Sequence, residues 1–301
     1  KQRRLTRWSC LDFCAVAPGG FGSATELFEW PDTSLKLLSD FSQRKVQQLV
    51  ALAEQGGDIF SYMAGKGTDG SAITHISRSL KKNGVVAHGQ DDPFVCAAAS
   101  DSNGMCRDVL CALSNGGEKL YPHVFGPQSD RFAPDVKEAL KEMKKHVDWA
   151  SAESRAAFID SVREYVHAAR EDESLLNPDK KAHCYQCNKR CHVHSKRRRF
   201  TLVVAGTPCL DFCPWGGQQG ITGEQMEHFT TLVAELLILS ADFVILENSE
   251  QKTDGLHASC AEALQMEIIT GIDTPKMWSI PVRRPRRYSF LWKGDRFDSD
   301  A

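Results

Sequence analysis

Short apolar runs alternate with amphipathic stretches along most of the chain. Residues 58–60 are predicted to form a strand, and a loop with three glycines connects them to an amphipathic segment, 71–82, that is predicted to be a helix. Residues 85–87 are predicted to be the next strand, with an acidic tip after them. This order is typical of nucleotide-binding units, in which the ligand lies at the carboxyl ends of parallel strands.

The same rhythm returns in the second half of the chain. An apolar run at 201–205 predicts a buried strand, and a glycine-rich loop follows it over 206–223. A helix is predicted over 223–239, with a strand at 243–246. The two halves together predict a single α/β domain.

The chain is therefore expected to divide into four segments. Residues 1–41 form an irregular N-terminal segment, and 42–133 form the cofactor-binding half of the α/β domain, beginning with a helix over 42–55. Residues 134–199 form a helical insertion followed by a Cys/His-rich basic loop. Residues 200–301 form the catalytic half of the same domain.

Composition excludes several classes of protein. With 301 residues, of which 42% are hydrophobic and 25% are charged, the chain is neither collagenous nor mucin-like nor wholly disordered. The eleven cysteines are odd in number and scattered, which favours a reducing, intracellular compartment over a disulfide framework. The longest apolar run, 232–246, contains two acidic residues and is too short to span a membrane. Because the chain opens with Lys1, we expect it to be a fragment.

Cys209 is the first candidate for chemistry. It follows a predicted parallel strand, on a loop shaped by Pro208 and several glycines. Loop N–H groups and a nearby helix start can lower the pKa of such a thiol and activate it as a nucleophile. A cysteine packed in a tight turn is the structural alternative.

Glu247 and Asn248 end the following predicted strand. In a parallel sheet this tip should lie beside the loop that carries Cys209. A thiolate and a carboxylic acid together could attack an electron-poor pyrimidine, the thiolate adding to carbon while the acid meets a ring nitrogen. A glutamate that only forms a salt bridge is the simpler interpretation.

A third candidate is the basic segment 280–288. It contains four arginines and two prolines, with apolar residues on either side. Such a rigid, extended segment can direct charge-assisted donors to a base carbonyl or to phosphates. Simple solvated charge is the alternative.

In combination and in order, these pieces resemble the DNA (cytosine-5) methyltransferase family. The nucleophile motif matches Pro208, Cys209 and Phe212, with Gly216 and Gly220 spaced behind them. The Glu-Asn-Val motif matches Glu247 and Asn248, and the Gln-x-Arg-x-Arg motif matches Arg284 and Arg286. The resemblance covers residues 58–290 and implies a class I, Rossmann-like methyltransferase sheet with helices on both faces. The family's target-recognition domain and last motifs are expected to be absent.

The resemblance also implies a mechanism and a cofactor. Cys209 would attack C6 of cytosine, Glu247 would protonate or hydrogen-bond N3, and Asn248 would hold the loop. Arg286, helped by Arg284, would contact the base carbonyl, and C5 would take a methyl group from S-adenosyl-L-methionine. A base inside a duplex would have to be flipped out.

The cofactor motif is matched more loosely. The resemblance implies that Phe60 stacks on adenine, that Gly65 and Gly67 line the methionine end, and that Gln90 or Asp91 meets the ribose. Asp58 opens this motif, and Pro208 would lie beside the cofactor. A competing glycine loop at 12–22 resembles that of other methyltransferases. The chain departs from the family at Leu210, where glutamine is usual, at Cys213, where serine is usual, and at Gln90, where the ribose-binding glutamate is usual.

A metal site is predicted in the Cys/His-rich loop. Cys184, Cys187, Cys191 and His194 have C-x2-C-x3-C-x2-H spacing, which offers four ligands to a tetrahedral zinc. Polar turns with unliganded thiols are the alternative. The adjacent basic run, 196–199, is suited to phosphate contact or to nuclear targeting in a eukaryote.

Three functions remain open at this level. The first is methylation of cytosine in DNA, the second is the same chemistry on tRNA, and the third is a methyltransferase-like module that binds nucleic acid without turnover. No membrane partner is expected, and the sequence does not indicate an oligomeric state. The third function differs from the first two in the use of Cys209 and Glu247, since a binding module needs neither a thiol nor a carboxyl at adjacent strand tips.

Overall fold

The structure is a computed structural model. It describes residues 29–86, 91–115, 120–148, 181–194, 200–207, 226–249, 254–274 and 285–294, together with part of 151–164. The predicted residues Gln90, Pro208, Cys209 and Arg284 lie outside these ranges, as does the competing loop at 12–22.

Nine described strands form one mixed sheet in the order β5-β4-β3-β2-β1-β6-β7-β9-β8. The five central strands, from β3 to β7 in that order, are parallel, whereas β9 runs antiparallel between β7 and β8. The strands are β1 (Gly57–Tyr62), β2 (Phe94–Ser100), β3 (Val124–Phe125), β4 (Lys181–Cys184), β5 (Lys189–His192), β6 (Phe200–Gly206), β7 (Phe243–Ser249), β8 (Glu267–Asp273) and β9 (Arg286–Trp292).

The described helices connect these strands. They are α1 (Trp30–Phe41), α2 (Gln43–Gln55), α3 (Thr68–Lys82), α4 (Gly104–Asn115), α5 (Pro134–Lys145), α6 (Met226–Leu239) and α7 (Asp254–Ala263), with a 3-10 turn at Gln128–Arg131. The predicted helix over 42–55 is confirmed as α2. Ser42 Oγ accepts a hydrogen bond from Lys45 N at 3.4 Å at its start, and Gly56 ends it with φ 70°.

Successive strands of the chain are added to one side of β1 first and then to its other side, beginning with β6. Going outward from β1, one side carries β2 and β3 and the other carries β6 and β7. This is the switch point of a doubly wound α/β sheet, and ligands bind in the crevice outside the carboxyl ends of the strands there. The prediction of a Rossmann-like α/β fold is confirmed.

The predicted strand at 85–87 is wrong. The backbone N–H groups of Val85 and Val86 both donate to Leu80 O, at 2.9 and 3.3 Å, so they close the end of α3 instead of joining the sheet. Val86 is buried beside Leu80 in a small apolar cluster. The next strand is β2, which begins only at Phe94. The alanines of β2 are less apolar than Val85 and Val86, so the sequence pattern indicates β2 less clearly.

The Cys/His-rich segment is also more ordered than the predicted loop. Residues 181–192 form an antiparallel hairpin, β4 and β5, in which Lys181 pairs with His192 and Cys184 with Lys189. Phe125 of β3 pairs with Cys184, so the hairpin extends the parallel sheet by two antiparallel strands. Of the predicted helical insertion, α5 is confirmed, while most of the second helix lies outside the described residues.

The core lies on both faces of the central strands. Helix α6 is apolar around most of its circumference, and Leu232, Ala234 and Leu236 are fully buried. The largest apolar cluster joins α6 to the inner strands and to α5. Within the described residues, no helix is both long and apolar enough to cross a bilayer.

Candidate active site at the switch point

The tips of β6 and β7 meet as the sequence predicts. Thr207, the residue after β6, donates from its backbone N to Glu247 O at 2.9 Å and from Oγ1 to the same oxygen at 3.0 Å. Asn248 Nδ2 donates to Thr207 Oγ1 at 2.5 Å, and both residues are buried. Cys209 follows Thr207 by two residues, so these bonds fix the position from which its loop departs.

Arg286 binds the carboxylate of Glu247. Arg286 Nε lies 2.6 Å from Glu247 Oε1, and the two side chains are 20% and 30% exposed. The contact is possible because β9 runs antiparallel to β7, with Glu247 opposite Tyr288 and Ser249 opposite Arg286. Two charged groups that are 39 residues apart in sequence thus lie at one sheet edge. This partly exposed pair can interact with a polar ligand.

The second carboxylate oxygen of Glu247 faces the switch point. A Cβ placed on Gly206 would lie 3.6 Å from Glu247 Oε2 and 3.2 Å from Met63 O. Met63 follows β1, and its φ is 52°. Gly206 therefore allows the carboxyl ends of β1 and β6 to approach each other closely, and it brings Glu247 near the loop after β1.

The loop after β1 is held by an acid at the tip of β2. Gly65 N donates to Asp101 Oδ2 at 2.9 Å, while Asn103 N donates to Asp101 Oδ1 at 2.7 Å. Gly65 has φ 56°, and no atom lies within 4 Å of where its Cβ would be. Glycine is favoured here by the backbone conformation, and the open space beside it suits a ligand.

Sequence reasoning missed Asp101. It follows β2 directly, and its side chain lies beside the glycine loop at the carboxyl edge of the sheet. An acid at this place in a doubly wound fold can accept hydrogen bonds from ribose hydroxyls. The signal was present as an acid after an apolar run, but the strand was assigned nine residues too early, because Val85 and Val86 are more apolar than the alanines of β2.

The predicted acidic tip at Asp91 belongs to the opposite edge. Gly57 N, at the start of β1, donates to Pro93 O at 2.8 Å, so Asp91 and Asp92 precede β2 at the amino end of the sheet. Asp92 pairs with Lys81 at 2.8 Å. The prediction that Asp91 meets a ribose at the cofactor site is therefore wrong.

Gly67 and Gly70 make room for a tyrosine. A Cβ on Gly67 would lie 3.0 Å from the Tyr121 ring, and one on Gly70 would lie 2.3 Å from Tyr121 Oη. Gly70 N donates to Tyr121 Oη at 3.0 Å, and the hydroxyl lies 3.0 Å from Asp69 Oδ1. The first turn of α3 is thus occupied by Tyr121, and Gly67 packs against a side chain where the resemblance implied a ligand.

Asp58 and Phe60 lie inside β1. Phe60 is 1% exposed and belongs to the main apolar cluster, with its ring centroid 6.4 Å from that of Tyr62. It therefore occupies a core position, whereas stacking on adenine would require an open face. Asp58 is 1% exposed and lies four residues before the end of the strand, about 13 Å along its axis. Among the predicted cofactor residues that the structure describes, Gly65 lies beside open space.

Three of the four predicted metal ligands come together, and the fourth is corrected. His123, Cys184, Cys187 and Cys191 offer ligand atoms that all lie within 4.8 Å of one another. Burial, together with the neighbouring thiols of Cys184 and Cys191, raises the pKa of Cys187 to about 12. His123 was missed because it is 61 residues before Cys184 and has no motif around it.

His194 has a different partner. Its Nε2 lies 3.1 Å from Glu235 Oε2, which is also 2.7 Å from Arg131 Nη1. Burial opposes ionisation of Glu235, but the charges of Arg131 and His194 outweigh it and lower the pKa of this carboxyl to about 2. The Arg131 guanidinium also lies 5.1 Å from the centre of the Tyr62 ring. His194 thus belongs to a buried ionic network and not to the cysteine cluster.

Neither a protein-family model nor a curated protein matches this chain. Among solved structures, it is similar to the Dnmt2 methyltransferase of S. pombe (14% identity, 80% of this chain and 50% of the other, TM-score 0.39). It is also similar to Spodoptera frugiperda DNMT2 (13%, 80% and 51%, 0.40) and to the Entamoeba histolytica methyltransferase EhMeth (11%, 79% and 53%, 0.39). The chain spans about half the length of these proteins.

Proposed function

We propose that this chain transfers a methyl group from S-adenosyl-L-methionine to C5 of cytosine in a nucleic acid, with DNA as the first candidate substrate. The observation that carries the proposal is the meeting of Glu247 with Arg286 and Thr207 at the switch point. A thiol loop that leaves Thr207 next to a carboxylate and a guanidinium has the groups that this reaction needs.

In the proposed reaction, Cys209 acts first. Its thiolate adds to C6 of cytosine, the C5–C6 double bond opens, and Glu247 supports the charge on the ring at N3. C5 would then bond to the methyl group that the cofactor supplies, and the bond between that methyl group and the cofactor's sulfonium sulfur would break, leaving S-adenosylhomocysteine. Loss of the C5 proton to a base returns the electron pair, restores the double bond and expels the thiolate of Cys209.

Arg286 and Asn248 have supporting roles in this proposal. Arg286 fixes one oxygen of Glu247, and its remaining N–H groups can donate to the base carbonyl. Asn248, bound to Thr207 Oγ1, holds the start of the nucleophile loop against β7. Arg284 would add positive charge on the same segment.

The cofactor fits the crevice in part. The open space at Gly65 and the carboxylate of Asp101 are suited to the methionine and ribose portions of S-adenosyl-L-methionine. The first turn of α3, filled by Tyr121, is a less suitable place for its carboxylate. When bound, the cofactor supplies an electrophilic methyl group. We therefore assign Gly65 and Asp101, and not Asp58, Phe60 or Asp91, to its binding.

The test is transfer of a labelled methyl group to DNA, with tRNA as a second substrate. Wild-type protein should methylate a cytosine substrate, and Cys209→Ser should lose this activity, while Cys106→Ser on α4 should retain it. A substrate with 5-fluorocytosine should give a covalent complex that survives denaturation, because fluorine at C5 cannot leave as a proton does. Methylation by the Cys209→Ser protein would overturn the mechanism.

The same assay separates the alternatives. Methylation of tRNA alone would move the substrate to RNA, and nucleic-acid binding without transfer would identify an inactive binding module. An intracellular site of action, nuclear in a eukaryote, is part of the proposal, since DNA is the first candidate substrate. Tagged protein found outside the nucleus of its eukaryotic host would contradict that part.

A further inference from the structure

Four potential metal ligands come from two segments that are far apart in sequence. His123 directly precedes β3, and the three cysteines lie in the β4–β5 hairpin. His123 Nδ1 is 3.7 Å from Cys184 Sγ and 3.6 Å from Cys187 Sγ. Cys184 and Cys191 are buried, and their sulfur atoms lie on the side of the hairpin that holds His123.

These separations match those around a tetrahedral zinc ion. With Zn–S of about 2.3 Å and Zn–N of about 2.0–2.1 Å, a tetrahedron places nitrogen and sulfur about 3.6 Å apart. The two observed N···S distances, 3.7 and 3.6 Å, lie at this value. All four ligand atoms lie within 4.8 Å of one another, which is close enough for them to share a single cation.

Residues 184–187 form a tight turn, here called the knuckle, in which a backbone N–H group is directed at a cysteine sulfur atom. Cys187 N donates to Cys184 Sγ at 3.4 Å, and the turn ends at Asn188 with φ 50°. Tyr185 N donates to Val124 O at 2.7 Å, which fastens the turn to β3 beside His123. N–H donors directed at a sulfur ligand stabilise the thiolate that a metal requires.

We propose that His123, Cys184, Cys187 and Cys191 bind a structural zinc ion that fastens the β4–β5 hairpin to the edge of the parallel sheet. All four positions are filled by protein atoms, which is the arrangement of a structural site and not of a catalytic one. The direct sheet contact is small, since β3 has two residues and only Phe125 pairs with the hairpin. The ion supplies the attachment that this short ladder does not.

The site is connected to the loop that holds Asp101. Arg107 lies over the Tyr185 ring, 4.4 Å from its centre, and donates to Asp101 O at 3.0 Å. Gln186 Nε2 donates to Asn115 Oδ1 at 2.8 Å at the other end of α4. The knuckle thus contacts both ends of α4, and metal binding stabilises the backbone around Asp101 whether or not the proposed methyl transfer is correct.

The experiment measures zinc content in the full chain after dialysis against a weak chelator. One zinc per chain is expected in the wild type. His123→Ala and Cys187→Ser should lose it, whereas His192→Ala, on the exposed side of β5, and His194→Ala should keep it. His123→Cys guards against misfolding, because it keeps four ligands and should retain the ion. Replacement by cobalt should give the visible absorption of a tetrahedral site with thiolate ligands, altered in His123→Cys.

Several results would overturn the proposal. They are a wild type without zinc, a His123→Ala protein with full zinc, or loss of zinc in His194→Ala alone. A disulfide among the three cysteines, detected by thiol titration of the denatured protein, would do the same. Removal of zinc should also speed amide hydrogen exchange in residues 181–194, and unchanged exchange would refute the structural role. None of these measurements depends on methyl transfer.

Discussion

Arg131 Nη1 lies 2.7 Å from Glu235 Oε2, with the two side chains 2% and 0% exposed. This ion pair joins the 3-10 turn after β3 to the centre of α6, 104 residues later in sequence. His194, at the end of the hairpin, binds the same carboxylate oxygen. One buried carboxylate therefore connects the sheet edge, the turn and the main helix.

Replacement of Glu235 by glutamine should destabilise the domain severely. It leaves the buried Arg131 guanidinium without a counter-charge, and a loss of about 3–5 kcal/mol in the free energy of unfolding is expected. Urea unfolding measures it. The control is Glu138→Gln, from an exposed pair with Lys141, for which a change below about 1 kcal/mol is expected. Equal effects of the two substitutions would contradict a structural role for the buried pair.

Glu247→Gln should reduce the rate of methyl transfer by about 10²–10⁴-fold, the range for loss of an acid–base group. Glutamine preserves the size of the side chain and can still accept a hydrogen bond from Arg286, so binding of S-adenosylhomocysteine should change little. Single-turnover kinetics and calorimetry measure the two quantities separately. A parallel loss of rate and cofactor affinity would instead indicate that Glu247 is structural.

Asp101→Asn should weaken binding of S-adenosylhomocysteine by about 10–100-fold, because the charge-assisted hydrogen bonds to a ribose would be lost. The asparagine oxygen can still accept one of the two backbone bonds that Asp101 accepts, from Gly65 N or from Asn103 N, so the fold should survive. Asp91→Asn is the matched control at the opposite sheet edge, and calorimetry should show unchanged affinity. A larger effect at Asp91 would exclude the proposed ribose contact of Asp101.

Gly70→Ala should destabilise the protein by about 1–3 kcal/mol, since the new Cβ would meet Tyr121 Oη at 2.3 Å and the rigid ring has to move. Thermal unfolding is the measurement. Gly255→Ala, near the start of α7, has nothing within 4 Å of its Cβ and serves as the control. Adding Tyr121→Phe should recover part of the loss, because it removes the closest atom; no recovery would contradict the contact.

The stability of the fold should depend on pH through His257. Burial, together with the charge of Arg287, lowers the pKa of His257 to about 4. Because the unfolded state takes up this proton at about pH 6.5, the contribution of the lowered His257 pKa to the free energy of unfolding is complete above that pH. It is lost as the pH falls towards 4, and amounts to about 3 kcal/mol.

His257→Asn tests this pH dependence. Asparagine can replace the hydrogen bond to Ser289 Oγ, which is 2.7 Å from His257 Nδ1, but it cannot be charged. Urea unfolding between about pH 7.5 and 4.5 should show a shallower loss of stability in this variant. His192→Asn, at an exposed position, should follow the wild type. If wild type and His257→Asn fall in parallel, the titrating group lies elsewhere.

The sequence predicted the α/β order because its strands and helices have clear periodicity. Where the apolar signal misled, as at Val85 and Val86, backbone hydrogen bonds closed a helix end instead of joining a sheet. Because the strand was predicted at 85–87 and not at β2, the acidic tip was placed at the wrong edge of the sheet and Asp101 was not identified. The meeting of Glu247 with the loop after β6 was predictable, since adjacent parallel strands end at one edge.

Contacts between strands that are far apart in sequence could not be predicted from local sequence patterns. His123 joins the cysteines only because β3 pairs with β4, and the antiparallel strand β9 brings Arg286 to Glu247. Tyr121 accounts for Gly67 and Gly70, although the same two glycines in a loop would equally suit a phosphate or a cofactor. Motif spacing indicated that these residues matter but not which group each of them contacts.

The β4–β5 hairpin also determines what the sheet presents to other chains. Among the described strands, β5 is the outermost on that side, and Lys189, Arg190 and His192 along it are exposed. Charged side chains on an outer strand discourage further strand addition. Without the hairpin, the sheet would end at the two residues of β3 and at β2, Phe94–Ser100, which carries no charge. The hairpin therefore covers an uncharged strand edge of the kind to which other chains can add.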